Sequence, residues 1–178
     1  MNPVQPSEWK YRIVWVQLGQ QEHFMLWIET PESEALWADA AGRVPSFRSL
    51  AELTALTDSI GARLITHMPE LLNLDQVVEW LGNSAKQVPY KACLLSWFIF
   101  EGLASGAKAT FLGNRGGPVC NRVFYKLYDN SGPWRLRPDR AQQVNRWRKE
   151  ERNTLRRVLR QGFRLWAKYV GPASNAPA

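Results

Sequence analysis

Between Lys91 and Ala104 (KACLLSWFIFEGLA) the chain offers water almost no foothold. Apolar side chains fall round nearly the whole circumference, so a helix here has no polar face and is stable only when other elements enclose it. Pro89 suits a first helical turn, and the pattern predicts a central buried helix running to about Ser105. The segment does not read as a membrane span. Its longest apolar run, Cys93 to Phe100, is interrupted by Ser96 and closed by Glu101, far short of the roughly 20 apolar residues a span needs.

The rest of the chain has to supply the shell. Tyr11–Leu18 (YRIVWVQL) and His23–Thr30 (HFMLWIET) are rich in β-branched and aromatic residues and are separated by Gly19-Gln20-Gln21-Glu22, which predicts an antiparallel hairpin. Ser49-Leu50-Ala51-Glu52 reads as a capping box. Behind it Leu50, Leu53, Leu56 and Ile60 recur at helical spacing, and Gly61 stands at the stop. Arg63–His67 reads as a further short strand, with another near Val44–Phe47. Asn73 is placed to cap a helix through Leu81, with Leu74, Val77, Val78 and Leu81 on one face and Gly82 beyond. Leu112–Pro118 (LGNRGGP) reads as a loop on its glycines.

A last helix is predicted from about Trp147 to Val170, with Leu155, Val158, Leu159, Gly162, Phe163, Trp166 and Val170 on one face. The expected fold class is therefore α+β over residues 1–170. A small antiparallel β-sheet in a β-β-α-β order (1–70) packs on a C-terminal set of three to four helices (71–170), and 171–178 form a disordered tail.

Charge is divided unevenly along this plan. Residues 121–170 carry 14 Lys/Arg against 4 Asp/Glu, whereas residues 1–120 carry 9 against 12. Such a chain presents two electrostatic faces suited to different partners. On the last helix Arg156, Arg160, Arg164 and Lys168 stand in an i, i+4 row, flanked by Lys149, Arg152 and Arg157. Like charges one turn apart repel, and guanidinium groups bind phosphate and carboxylate in bidentate fashion. The row therefore suits nucleic acid, anionic lipid or an acidic protein surface, or it is the solvated outer face of a core helix. The opposite feature is Glu29–Asp39 (ETPESEALWAD), where Glu29, Glu32, Glu34 and Asp39 surround Trp37 without any Lys or Arg. Carboxylates around an aromatic anchor suit docking to a basic protein.

Signals for catalysis are sparse. The only histidines are His23 and His67, and the only cysteines are Cys93 and Cys120, neither in a CxxC pair. A Cys93–His67 nucleophile pair is conceivable, but free cysteine is among the most buried residue types, and Cys93 is read as a buried structural thiol with His67 an ordinary surface or edge histidine. The residues offer no clustered ligand set for a metal, no cofactor motif and no acid/base carboxylate pair. Gly113-Asn114-Arg115-Gly116-Gly117 lacks the GxxxxGK[ST] spacing of a phosphate loop. The N-terminus has no charged region followed by an apolar core, and the cysteine count suits a reducing cytoplasm. A monomer or weak dimer is expected, since no long heptad pattern is present.

The order of segments resembles small bacterial immunity (antitoxin) proteins of contact-dependent growth inhibition and other polymorphic toxin systems. The matching pieces are His23-Phe24-Met25-Leu26-Trp27-Ile28, Val44-Pro45-Ser46-Phe47-Arg48-Ser49-Leu50 and Leu74-Asp75-Gln76-Val77-Val78-Glu79-Trp80-Leu81. Leu94–Phe100, Phe124-Tyr125-Lys126-Leu127, and Trp147 with Glu150-Glu151 leading into Leu155–Gly162 complete it. The chain departs from the pattern at Phe98, after Leu127, and in the basicity of its last helix. The resemblance implies a cytoplasmic, non-enzymatic protein that binds a cognate toxin domain and blocks it. Glu29, Glu32, Glu34, Asp39 and Trp37 would face a basic toxin cleft, or the arginine row an acidic one. Nucleic-acid binding by the last helix is the alternative.

Overall fold

The computed structural model describes residues 9–65, 69–83, 85–131 and 146–172. Strands β1 (Lys10–Leu18) and β2 (Gln21–Glu29) pair antiparallel from Lys10↔Glu29 to Leu18↔Gln21. Gly19 and Gln20 alone make the turn, both at φ +60°, the left-handed pair that matches the twist of a hairpin. A non-glycine residue at Gln20 is held there by a specific contact. Asp75 Oδ1 accepts from the Gly19 amide (2.6 Å) and its Oδ2 from the Gln20 amide (3.1 Å).

Strand alternation then sends Tyr11, Ile13, Leu26 and Ile28 to a cluster with Leu53, and Val14, Val16, Met25 and Trp27 to the larger main core. Helix α1 (Leu50–Ser59) covers the first face. Its Ser49 Oγ accepts from the Glu52 amide as expected, but the return bond from Glu52 goes to the Arg48 amide, one residue early.

The main sheet is mixed, with Glu34–Leu36 (β3), β2, β1 and Leu71–Asn73 (β5) in that order. It differs from the expected sheet at two places, an added antiparallel edge strand and one parallel pairing. The acidic stretch contains a strand, β3 (Glu34–Leu36), because Leu36 is buried beneath the helical layer and its neighbours pair with β2. Leu71–Asn73, of which the sequence singles out only Asn73, as a helix cap, forms β5 and runs parallel to β1. Of the expected strand 63–67, Leu64 makes an isolated bridge to Tyr11, and 66–68 lie outside the described residues. β4 (Val44–Ser46) pairs with β6 (Val170–Pro172) in a separate two-stranded sheet. Gly171 and Pro172, expected in a disordered tail, are therefore strand. The pairing partner more than 120 residues upstream is what orders them.

Helix α2 (Asp75–Gly82) begins one residue later than predicted, with the Asn73 side chain accepting from the Asp75 amide. Its buried face is Leu74, Val77 and Trp80; Val78, expected inside, is 46% exposed. Helix α3 (Tyr90–Gly106) is the core's centre, as its sequence demands, with Phe98 the one large apolar side chain left exposed. A 3-10 turn (Leu112–Arg115) interrupts the predicted loop and leads into α4 (Pro118–Ser131), which the loop-like GNRGGP hides in the sequence. The last helix, α5 (Lys149–Tyr169), packs against both α3 and α4.

Two glycines allow this packing. A Cβ on Gly106 would collide with the Leu36 carbonyl, so α3 can cover the outer edge of β3 only with glycine there. A Cβ on Gly162 would fall inside the ring of Phe100, itself wedged between Phe111 and Phe163. Gly162→Ala is therefore expected to destabilise by about 1–3 kcal/mol, as overpacking does, although alanine is the better helix former by about 1 kcal/mol. Denaturant unfolding reads this directly, and a stabilised variant would contradict the packing.

Candidate functional site

The strongest surface feature is the outward face of α5. Its apolar stripe (Leu155, Val158, Leu159, Gly162, Leu165, Trp166) is buried. At 100° per residue this turns Arg157, Arg160, Arg164 and Lys168 to solvent, with Arg156 half-buried at the flank. Arg156, Arg157, Arg160 and Arg164, with Asn153, line a shallow open groove. Successive members of the row are about 6 Å apart along the helix axis.

Among the described residues, the two acids of this helix are committed elsewhere. Glu150 pairs with Arg122 (2.9 Å), and Glu151 with Lys126 and, more distantly, Arg122. Among the described residues no carboxylate of the first 120 reaches the row, and Arg156, Arg157, Arg160 and Arg164 form no ion pair. Arg156 Nε is moreover shielded from water without a hydrogen-bond partner, which leaves a strong donor's capacity unused. Lys168 lies over the Tyr169 ring at 4.7 Å. Arg152 donates to the Lys86 carbonyl (3.2 Å), and Lys149 is exposed at the first turn. The three like-charged i, i+4 pairs each cost a few tenths of a kcal/mol. Arg160→Gln is accordingly expected to keep or slightly raise the thermal midpoint, and a clear fall would reveal a structural role for this side chain.

The acidic residues are placed differently. Glu29 is engaged by Lys10 (3.2 Å) and Arg12 (2.8 Å). Asp39 Oδ1 accepts from the amides of Ala41 and Arg43 and so shapes a turn. Trp37 is half-buried against the cluster of Tyr11, Leu26, Phe47 and Leu53. Of this set only Glu32 and Glu34 stand exposed without an ion-pair partner among the described residues. Burial, with a contribution from the Glu34 charge, raises the carboxyl of half-buried Glu101. The structure thus gathers the basic row into one face and divides the acidic set between structural and free positions.

A surface the sequence reading did not single out lies on the seam of α3 and α4. Phe98, Tyr125 and Tyr128 are exposed around Phe124, with ring centroids 5.9–6.4 Å from it. Its signal was the aromatic flank of α4, legible only once that segment is known to be helical.

The groups considered for catalysis are also accounted for. Burial pushes the Cys93 thiol up to about 12, so it stays protonated at neutral pH; His67 lies outside the described residues. Burial likewise raises Cys120, against the nearby charge of Arg157. His23 Nδ1 lies 2.8 Å from Ser46 Oγ, and its ring meets Trp166 edge-on at 5.5 Å. Burial and the Arg48 charge lower its pKa, which favours the neutral ring. Ser46 is buried, and the contact docks α5 on the sheet. Among the described residues no group of three or more His, Cys, Asp or Glu is arranged to hold a metal ion, and no helix is long and apolar enough to cross a membrane.

No family model and no curated protein matches the chain. Its fold is similar to that of the C-terminal domain of SatS, whose crystal structure was solved in complex with bromine: the TM-score is 0.51 at 10% sequence identity, over 91% of this chain and 93% of that one. At that identity the likeness is one of fold alone.

Proposed function

We propose that this chain is a non-enzymatic binding protein, an immunity protein that neutralises a cognate toxin domain in the cytoplasm, and that it docks through the arginine face of α5. The observation that carries the docking face is the set of four guanidinium groups on one helix with no ion-pair partner among the described residues. They repel one another, and an acidic surface would relieve that repulsion. The toxin assignment rests on the order of hydrophobic and aromatic segments described above. Both cysteines are buried and unpaired, which suits a reducing compartment.

Co-expression with a toxin domain encoded beside it tests the reading. The wild-type chain is expected to restore growth against that domain, and not against unrelated ones, and to co-elute with it. Arg156→Glu with Arg160→Glu is expected to lose both effects while its thermal midpoint stays within a few degrees. The same arginine row favours one rival, a nucleic-acid-binding protein. Duplex affinity would then fall steeply with salt in proportion to the phosphates contacted. Tight, salt-sensitive duplex binding at about 0.15 M salt, abolished by the double reversal, would replace the immunity reading with this one.

A further inference from the structure

We propose that β5, the open edge of the main sheet, pairs with an extended segment of a partner protein, which joins the sheet as one more strand and seats an apolar side chain against Ala92 and Leu95 of α3. This surface is separate from the arginine face of α5, and the proposal does not rest on that face.

Backbone geometry identifies the open groups. The Leu74 amide donates to the Gln17 carbonyl (2.9 Å), and Leu72 lies opposite Val16 in the parallel ladder. In a planar trans peptide the C=O points opposite to the N–H, and successive residues of a strand turn their backbone groups to opposite edges. The N–H and C=O of Leu71 and Asn73 therefore point away from β1. β5 ends the strand order, and among the described residues none of these outward groups has a hydrogen-bond partner. The far end of the sheet is different, because there α3 lies so close on Leu36 of β3 that only glycine fits at Gly106. An unpaired edge is a template for another chain.

The open edge also borders a shaped recess. Leu72, Asn73, Gln76, Lys91, Ala92 and Leu95 are among the residues lining a space of about 190 Å³, smaller than the roughly 300–1,000 Å³ of a small-molecule pocket. Ala92 and Leu95, half-buried on the first turns of α3, give it an apolar wall. Glu70 and Lys91 pair at its margin (2.6 Å) and add no net charge. Open backbone groups beside an apolar wall match the capture of an extended peptide. Its main chain makes the hydrogen bonds, and a pocket for alternate side chains selects the sequence. A strand laid about 4.8 Å from β5 carries every second side chain towards this wall. A second copy of the chain fits less well, because its own β5 is bordered by the same α3 side chains, which would have to enter the recess with the strand.

The test uses the whole chain and labelled peptides of about eight residues, an ordinary strand length, in which threonine alternates with valine, leucine or lysine. Anisotropy reads binding, and hydrogen exchange reads the Leu71 and Asn73 amides. The valine or leucine peptide is expected to bind about tenfold or more tightly than the lysine peptide and to slow exchange of both amides. Leu71→Pro removes an amide that faces away from β1, a change edge strands tolerate. It is expected to weaken binding about tenfold relative to Leu71→Ala, with the thermal midpoint of the two alike. Leu95→Lys, which puts a charge on the apolar wall, is expected to weaken binding as well, and it carries the test if Leu71→Pro does not fold. Equal binding of the lysine peptide, no binding of any peptide, or binding unchanged by both Leu71→Pro and Leu95→Lys overturns the proposal. A dimer seen by sedimentation that Leu71→Pro dissociates and the peptide does not would assign the edge to a second copy, and overturns it too.

Discussion

Trp97→Ala is expected to lower the free energy of unfolding by about 3–5 kcal/mol, the range for deleting a large aromatic side chain from a core. Trp97 is 2% exposed at the middle of α3. It meets Phe111 and Phe124 edge-to-face at centroid distances of 6.0 and 5.7 Å, so α3, the 3-10 turn and α4 all lean on one indole. Removing it loses the transfer free energy of the ring and leaves a cavity. Its walls are anchored on three elements and collapse only in part. For a chain of this size about 2–4 °C of midpoint is lost per kcal/mol, so the fall is on the order of ten degrees. Trp97→Phe, which keeps a ring on the same stem, is expected to cost less. A melting curve unchanged by Trp97→Ala would show that the three elements do not share this contact.

Lys126→Met is the second large effect. Glu151 is 1% exposed in the first turn of α5, where its carboxylate accepts from Lys126 Nζ (2.5 Å) and from the Arg148 amide (2.9 Å). Taking away the ammonium leaves a buried carboxylate with the Arg148 amide and, among the described residues, no cation nearer than Arg122 Nε, 3.7 Å away. Breaking a buried pair in this way typically costs 3–5 kcal/mol, so a loss of about 3 kcal/mol at neutral pH is expected.

The dependence on pH separates this cause from simple loss of packing. Burial pushes the Glu151 carboxyl up, but the Lys126 hydrogen bond, the Arg148 amide and the charges of Lys126 and Arg122 outweigh it and hold the pKa below its ordinary 4.5. The folded state therefore binds fewer protons at Glu151 than the unfolded chain. Its stabilising contribution is complete above about pH 4.5 and is lost as pH falls through the lower folded value. Without Lys126 two of the influences that lower the pKa are gone and the folded pKa rises, so acidification costs the variant less than the parent. Unfolding free energies of the two are expected to converge as pH is lowered from 7 towards 4. A gap that stays constant would mean that Lys126 acts only through its packing on the Trp147 ring, 5.4 Å away.

The candidate site was legible only in part. The arginine row could be read from spacing, because a regular helix turns every fourth residue to one side whatever surrounds it. That the row lacks partners depends on where Glu150 and Glu151 go, and they turn to Arg122 and Lys126 of α4, a helix the glycine-rich lead-in conceals. The acidic stretch misleads for a related reason. Glu29 looks free in a run without cations, yet hairpin pairing sets Lys10 directly opposite it, and Asp39 is taken up by the amides of its own turn.

Local signals sufficed for the hairpin, for α1, α3 and α5, and for the α+β class, because period, caps and turn residues act within a few positions of one another. The tertiary structure alone decided the parallel pairing of β5 with β1, the strand inside the acidic run, and the joining of Val170–Pro172 to Val44–Ser46. Each of these is a three-residue strand, too short for any alternation to show. Its place is set by pairing and packing with other elements, not by residues within a few positions of it.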